Sequence, residues 1–167
     1  MNVGSAGVEL RTEVRPGDIG SVTRLHGELY AREYGFDATF EAYVAAPLAE
    51  FVLRASPRER IWLAETDRQL AGCVAIVAES AETAQLRWFL VAPQARGSGL
   101  GRRLLTEALG FSRGQGYTGV VLWTVSALSR AADLYRAAGF RRIESRPARR
   151  WGAEVIEEKY ELRFTSG

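Results

Sequence analysis

Hydrophobic and polar positions alternate with two distinct periods along the chain, and their order sketches a mixed fold. Residues 8–14 alternate in the manner of a strand and stop at Pro16-Gly17. From Asp18 onward, Ile19, Val22, His26, Leu29, Tyr30 and Glu33 recur at helical spacing, and Gly35 ends the pattern. A second helix is predicted from about Thr39, with Phe40, Tyr43, Val44, Leu48 and Phe51 on its apolar face; Pro47 is expected to kink or split it. Three strand-like runs follow at residues 60–65, 71–79 and 83–92. The turns between them are too short for anything but antiparallel neighbours.

The last of these runs leads into the most informative stretch, residues 88–105, WFLVAPQARGSGLGRRLL. It reads as an apolar strand, a stop at Pro93 and a turn carrying Gly97, Gly99 and Gly101. A helix then puts Leu100, Leu104, Leu105, Ala108 and Leu109 on one face and runs to about Arg113. Residues 119–125, GVVLWTV, form the nearly continuous apolar run of a central strand covered on both faces. This strand should lie parallel to residues 88–92, because a crossover helix joins the two. A short helix starts at Ser129, a candidate N-cap, and Gly139 stops it. Residues 140–144 and 155–164 complete the pattern as a hairpin whose long loop is rich in arginine (Arg146, Arg149, Arg150). We expect one domain over residues 8–165 behind a flexible tail at residues 1–7.

The glycine turn is where chemistry enters. Glycines at alternate positions let backbone approach a ligand closely, while the first N–H groups of the following helix point outward as an anion site. Arg96, Arg102 and Arg103 add fixed positive charge beside that terminus, so a diphosphate would suit it. A phosphate loop of the Gly-Lys-Ser/Thr type is excluded by the lack of a nearby lysine, and the GxGxG spacing differs from the dinucleotide fingerprint GxGxxG.

Composition narrows the picture only slightly. With 167 residues, 47% of them apolar, the chain suffices for one domain with a full core. A formal charge of +2 gives no reason to expect a nucleic-acid or membrane partner. The single cysteine, Cys73, lies in an apolar run and reads as a core residue; it allows no intrachain disulfide and fits a reducing compartment. No run approaches the ~18 apolar residues of a membrane span, and the N-terminus lacks a signal pattern. A cytoplasmic protein is therefore expected. Arginine accounts for all but one of the 22 basic residues, which carries no functional message.

Two motifs then carry a resemblance. Val91-x-Pro93-x-x-Arg96-Gly97-x-Gly99-x-Gly101 resembles the acetyl-CoA loop of the GNAT family of N-acetyltransferases. Ala131-x-x-Leu134-Tyr135-x-x-x-Gly139-Phe140 resembles that family's second motif, a helix that presents a tyrosine and ends in Gly-Phe. The resemblance extends from Val8 to about Phe164. Within the family, residues 15–18 and especially 26–35 (HGELYAREYG) resemble the acetyltransferase half of bacterial proteins fused to a MarR-type DNA-binding domain; no such domain is expected here, and hence no nucleic-acid binding.

The resemblance implies an α/β (α+β) GNAT fold: a mixed, mostly antiparallel sheet of six to seven strands with a central parallel pair, flanked by about four helices. It implies acetyl-CoA as cosubstrate, a small-molecule or peptide amine as acceptor, no metal, no membrane, and a homodimer as an open question. Backbone amides of Arg96, Gly97, Ser98, Gly99, Leu100, Gly101 and Arg102 would hold the pyrophosphate. Leu90 and Val91 would pair with the pantetheine arm, and the Val91 N–H would polarise the thioester carbonyl. Tyr135 would lie at the thioester sulfur and protonate the leaving thiolate.

Two family positions differ. The chain has Leu128 where many members carry an asparagine, and Gln85 where many carry the glutamate that serves as general base. For the base, Glu33, Glu65 and Glu79 are candidates by placement, and Glu33 is the choice because it lies in the run most like a substrate wall. His26, the only histidine, reads first as a partly buried residue bonded to backbone and second as a substrate contact or proton relay. Trp123 reads first as core and second as facing the acceptor; Arg149 reads first as solvated. The alternative function is a non-catalytic module that binds acetyl-CoA and senses it. A nucleotide hydrolase is disfavoured by the missing lysine and acidic metal pair.

Overall fold

The computed structural model describes residues 7–165. Apart from Gly7, the tail expected at residues 1–7 lies outside the described residues. Seven strands form one mixed sheet: β1 (Glu9–Arg11), β2 (Arg60–Thr66), β3 (Gln69–Ala78), β4 (Thr83–Val91), β5 (Gly119–Val125), β6 (Arg141–Arg150) and β7 (Ala153–Arg163). Their spatial order is β1-β2-β3-β4-β5-β7-β6, and every pair is antiparallel except β4 with β5. Among the described residues four α-helices accompany them: α1 (Asp18–Tyr34), α2 (Ala38–Arg54), α3 (Leu100–Gly114) and α4 (Ser129–Ala137).

The sheet is packed on both faces. Residues of α3 and α4, among them Leu104, Leu105, Ala108 and Ala132, join Val74, Ile76, Leu86 and Val120 in one core. On the opposite face α1 and α2 pack Val22, Leu29, Val44, Leu48 and Phe51 against Cys73, Ala75, Trp88 and Leu90. Two covered faces explain why β5 reads as a continuous apolar run.

Within β4 the two faces exchange. Ala84 and Leu86 belong to the core under α3, yet Trp88 and Leu90, of the same parity, belong to the core under α1 and α2. The cause is a β-bulge: Ala75 pairs with Arg87 and Cys73 with Leu90, so β4 carries one more residue than β3 across this span. Trp88 absorbs it at φ 49, in the left-handed region that a bulky side chain rarely adopts. A one-residue insertion flips every later side chain to the other face.

The hairpin at the end of the chain differs from expectation. No long loop is present; β6 continues through Arg150, and a two-residue turn, Trp151-Gly152, closes it. Both turn residues have positive φ, 56 and 74, as a type I′ hairpin requires. Trp151 tolerates this conformation because its ring packs on Phe36, Phe40 and Tyr43 with centroids 5.1, 5.1 and 5.2 Å apart. Asp37 N–H also donates to Trp151 O at 2.9 Å. The hairpin tip is thereby fastened to the α1–α2 junction.

Three smaller expectations change. β1 is confined to three residues. α2 runs through Pro47 unbroken, its turns before and after held by the buried Val44, Leu48 and Phe51. Packing of that face outweighs the one hydrogen bond that proline removes. Leu128, not Ser129, occupies the N-cap of α4, and no side chain caps it.

The turn yields a stability test. A Cβ on Gly152 would lie 2.7 Å from Asp37 Oδ2 and would also sit at positive φ. Gly152→Ala should lower the urea midpoint, with about 1–2 kcal/mol lost from the backbone conformation alone and an unchanged denaturant slope. An unchanged midpoint would show that the tip is not held this way.

Candidate active site

The parallel pair of strands is joined only at one end. Thr83, Ala84 and Gln85 pair with Gly119, Val120 and Val121, and beyond that point β4 and β5 run on without pairing to each other. Ala92 N–H donates to Ala71 O at 2.8 Å. By strand alternation, the Val91 N–H points to the opposite edge, toward the gap. Two cavities open along it.

The first is a groove of about 600 Å³ on the loop side of the gap. Leu90 and Val91 line it, as do Arg96, Gly97, Gly99, Leu100, Gly101 and Arg102. Each glycine has its own reason: Gly97 and Gly99 hold φ of 78 and 85, while a Cβ on Gly101 would meet Leu134 Cδ1 at 2.9 Å. The first bond of α3 runs from Arg103 N–H to Gly99 O at 3.0 Å, so the amides ahead of it have no helical partner. Orphan donors, the positive helix end and arginines together suit a diphosphate, and the apolar strand edge suits an extended, uncharged arm. Acetyl-CoA has both parts, and these residues fit it. Arg130 of α4 also lines the groove, a cation that sequence spacing did not single out. Ser98 is exposed, its hydroxyl donating to Ala95 O at 2.5 Å.

The second cavity, about 330 Å³, lies beside the splay point and is walled by aromatic rings. Gln85 and Tyr135 line it, and Tyr30, Phe89 and Leu128 line both cavities. Tyr135 packs against Phe89 with centroids 5.8 Å apart. Burial, followed by the nearby Tyr160, pushes the Tyr135 phenol well above its ordinary value, so it keeps its proton.

Glu33 lies elsewhere. Its carboxylate is bound by Arg96, with Nη2 2.8 Å from Oε2 and 2.7 Å from Oε1, and it lines the groove but not the aromatic pocket. Glu65 is ion-paired to Arg11, and Glu79 is exposed after the end of β3. None of the three glutamates named from the sequence lines the aromatic pocket.

His26 does line that pocket. It is 3% exposed, and Nδ1 lies 2.8 Å from Val22 O, so Nδ1 carries the proton and donates it. Nε2 is then a bare lone pair, buried and without a partner. Burial lowers the imidazole to about 4 despite the bond to Val22, which keeps the ring neutral near pH 7. Trp123, whose first reading is core, instead lines the pocket, with the Arg146 guanidinium 4.6 Å from its ring centre. Cys73 is fully buried, its thiol pushed up to about 12 by that burial. Arg149 is exposed, and its one ion pair among the described residues is to Glu154, at 4.0 Å.

A splayed parallel pair, a glycine turn opening a helix and a tyrosine beside the gap define an acyltransferase of GNAT type. The sequence profile of the GNAT acetyltransferase domain matches residues 57–142. An uncharacterised N-acetyltransferase of Schizosaccharomyces pombe is 32% identical over 118 residues, covering 69% of this chain and 72% of that protein. N-acetyltransferase 8F1 of Rattus norvegicus is 36% identical over 90 residues, 51% of this chain; the match spans only 41% of the rat protein. A solved GNAT-family structure from Desulfovibrio desulfuricans superposes with a TM-score of 0.71 at 27% identity, covering 94% of this chain and 99% of that one. An acetyltransferase from Salmonella typhimurium, solved with acetyl-CoA, shares the fold with a TM-score of 0.77 at 17% identity, covering 96% and 95% of the two chains. The chain belongs to the GNAT family of acetyltransferases.

The buried histidine gives a test that needs no substrate. Between pH 6.5 and about 4 the unfolded chain takes up a proton at His26 that the folded chain refuses. Stability is therefore full above pH 6.5 and falls as pH drops through that window, by about 3 kcal/mol from this residue. Urea titrations at stepped pH should show a smaller acid loss for His26→Gln than for wild type. Parallel losses would contradict the assigned burial.

Proposed function

We propose that the protein transfers an acetyl group from acetyl-CoA to a primary amine by direct attack within a ternary complex. The observation that carries this reading is the meeting of two chemically different cavities at one place, Tyr30, Phe89 and Leu128, with Tyr135 beside it. When bound, acetyl-CoA supplies the acetyl thioester. Amides of residues 97–102, with Arg96, Arg102 and Arg130, hold its diphosphate. Leu90 and Val91 hold the pantetheine arm along the free edge of β4, and the Val91 N–H polarises the carbonyl.

In the acceptor pocket a new N–C bond forms as the C–S bond breaks. Tyr135 gives its proton to the departing thiolate, a role that its raised value permits because the phenol is fully protonated at neutral pH. The amine must lose a proton in return. Gln85 cannot accept one, and we assign Glu33 to fixing Arg96 instead. The amine's proton leaves to water, while His26, lowered to about 4 by its burial, stays neutral in the pocket wall. The run in α1 that resembles MarR-fused acetyltransferases supplies Tyr30 and His26, which supports α1 as acceptor wall and gives no reason to expect DNA binding. We take residues 8–165 as one transferase domain acting in the cytoplasm.

The second reading, a module that binds acetyl-CoA without turnover, is favoured only by Gln85 and Leu128 at the altered family positions. Thiol release from acetyl-CoA with a panel of amines separates the two. Tyr135→Phe keeps the ring contacts with Phe89, Phe140 and Tyr160 and should lower kcat about 10²-fold or more with acetyl-CoA affinity unchanged. Tight acetyl-CoA binding with no thiol release for any amine would overturn the enzyme reading.

A further inference from the structure

The aromatic pocket contains more charge than an amine acceptor alone requires. Three guanidiniums line it, those of Arg87, Arg146 and Arg150, against one carboxylate, Glu157. Glu157 is already committed: Arg146 Nε lies 2.9 Å from Oε2 and Arg150 Nη1 lies 2.6 Å from Oε1. Burial alone would raise the Glu157 carboxyl, but the two arginines outweigh it and hold it below its ordinary value, so it stays ionised and spent on them.

Arg87 has no carboxylate within ion-pair distance among the described residues. It stands on a central strand, two residues past Gln85 on the same face, and is held by rings instead: its Cζ lies 5.0 Å from the Trp88 ring and 5.8 Å from that of Tyr43. Arg150 Cζ lies 5.1 Å from the same Tyr43 ring. Two guanidiniums thus share one aromatic platform at the pocket wall, and only one of them is neutralised. Low-dielectric ring walls make the surplus charge count for more than it would on an open surface.

We propose that this pocket selects acceptors that carry a carboxylate beside the primary amine, with Arg87 as the group that receives the carboxylate. The proposal rests on the transfer reading above for which group is acetylated, but not for what the pocket binds. The Arg87 guanidinium needs an anion, and the carboxylate is one. A polyamine would bring a second cation against Arg87 and meet repulsion. The volume, about 330 Å³, is at the lower end for small-molecule sites and suits an acceptor of free amino-acid size.

The test uses the free α-amino acids paired with the decarboxylated amine of each, read as kcat/KM for thiol release and as calorimetric affinity in the presence of CoA. The best-used amino acid should exceed its decarboxylated partner by about 10-fold or more in both readouts, as one charge-assisted contact provides. Arg87→Gln should bring that ratio close to unity, and Arg87→Lys, which restores the charge, should recover much of it. Equal use of acid and amine by the wild type, or a ratio that survives Arg87→Gln, overturns the proposal while leaving the transferase reading intact. Failure to bind any amino acid also overturns it. If amino acids bind in an Arg87-dependent way yet no thiol is released, the pocket assignment stands and the transfer reading falls.

Discussion

The bulge at Trp88 is the constraint on which the site depends. One extra residue in β4, taken up at a positive φ that costs on the order of 1–3 kcal/mol, exchanges the faces of the strand. Up to Gln85 the strand is an ordinary partner of β5; past the bulge it is not. The unpaired edges form the gap in which both cavities lie. Burial of Trp88 and Leu90 under α1 and α2, at 8% and 4% exposure, provides the packing that holds the strained turn in place.

The two sides of the gap present different surfaces. On one side, glycines and a bare helix terminus present backbone donors with no side chain in the way. On the other, rings from α1, α2, β4, β5 and the terminal hairpin enclose a pocket with a neutral histidine and an excess of arginine. The Trp151 tip is fastened to Asp37 and the α1–α2 aromatics, so the hairpin, the last element of the chain, closes a wall begun by the first two helices.

Much of the fold was legible because it is written in local periods and punctuation. The four helices, the meander and the parallel pair follow from apolar spacing and from Gly35, Pro93, Gly139 and the crossover helix. The glycine turn of the groove was legible because backbone needs specify it: positive φ at Gly97 and Gly99, close approach at Gly101, and a helix start. The acceptor side was not, for physical reasons. Arg87, Arg146, Arg150 and Glu157 become neighbours only through sheet register, and a Trp-Gly turn with tryptophan at positive φ is a weak sequence signal that tertiary packing makes viable. Glu33 and Glu65 looked free in sequence because their arginine partners, Arg96 and Arg11, are 63 and 54 residues away. The bulge itself leaves no mark in the alternation of β4, whose burial pattern is regular from end to end.

The central claim is that the gap opened by this bulge is where acetyl-CoA and the amine meet. A crystal structure of the protein with acetyl-CoA tests it most directly. The account predicts the diphosphate on the amides of residues 97–102, the pantetheine arm along Leu90 and Val91, and the thioester between Tyr135 and the aromatic pocket. Density for the thioester on any other surface, or an arm that leaves the groove before reaching Phe89, would contradict it.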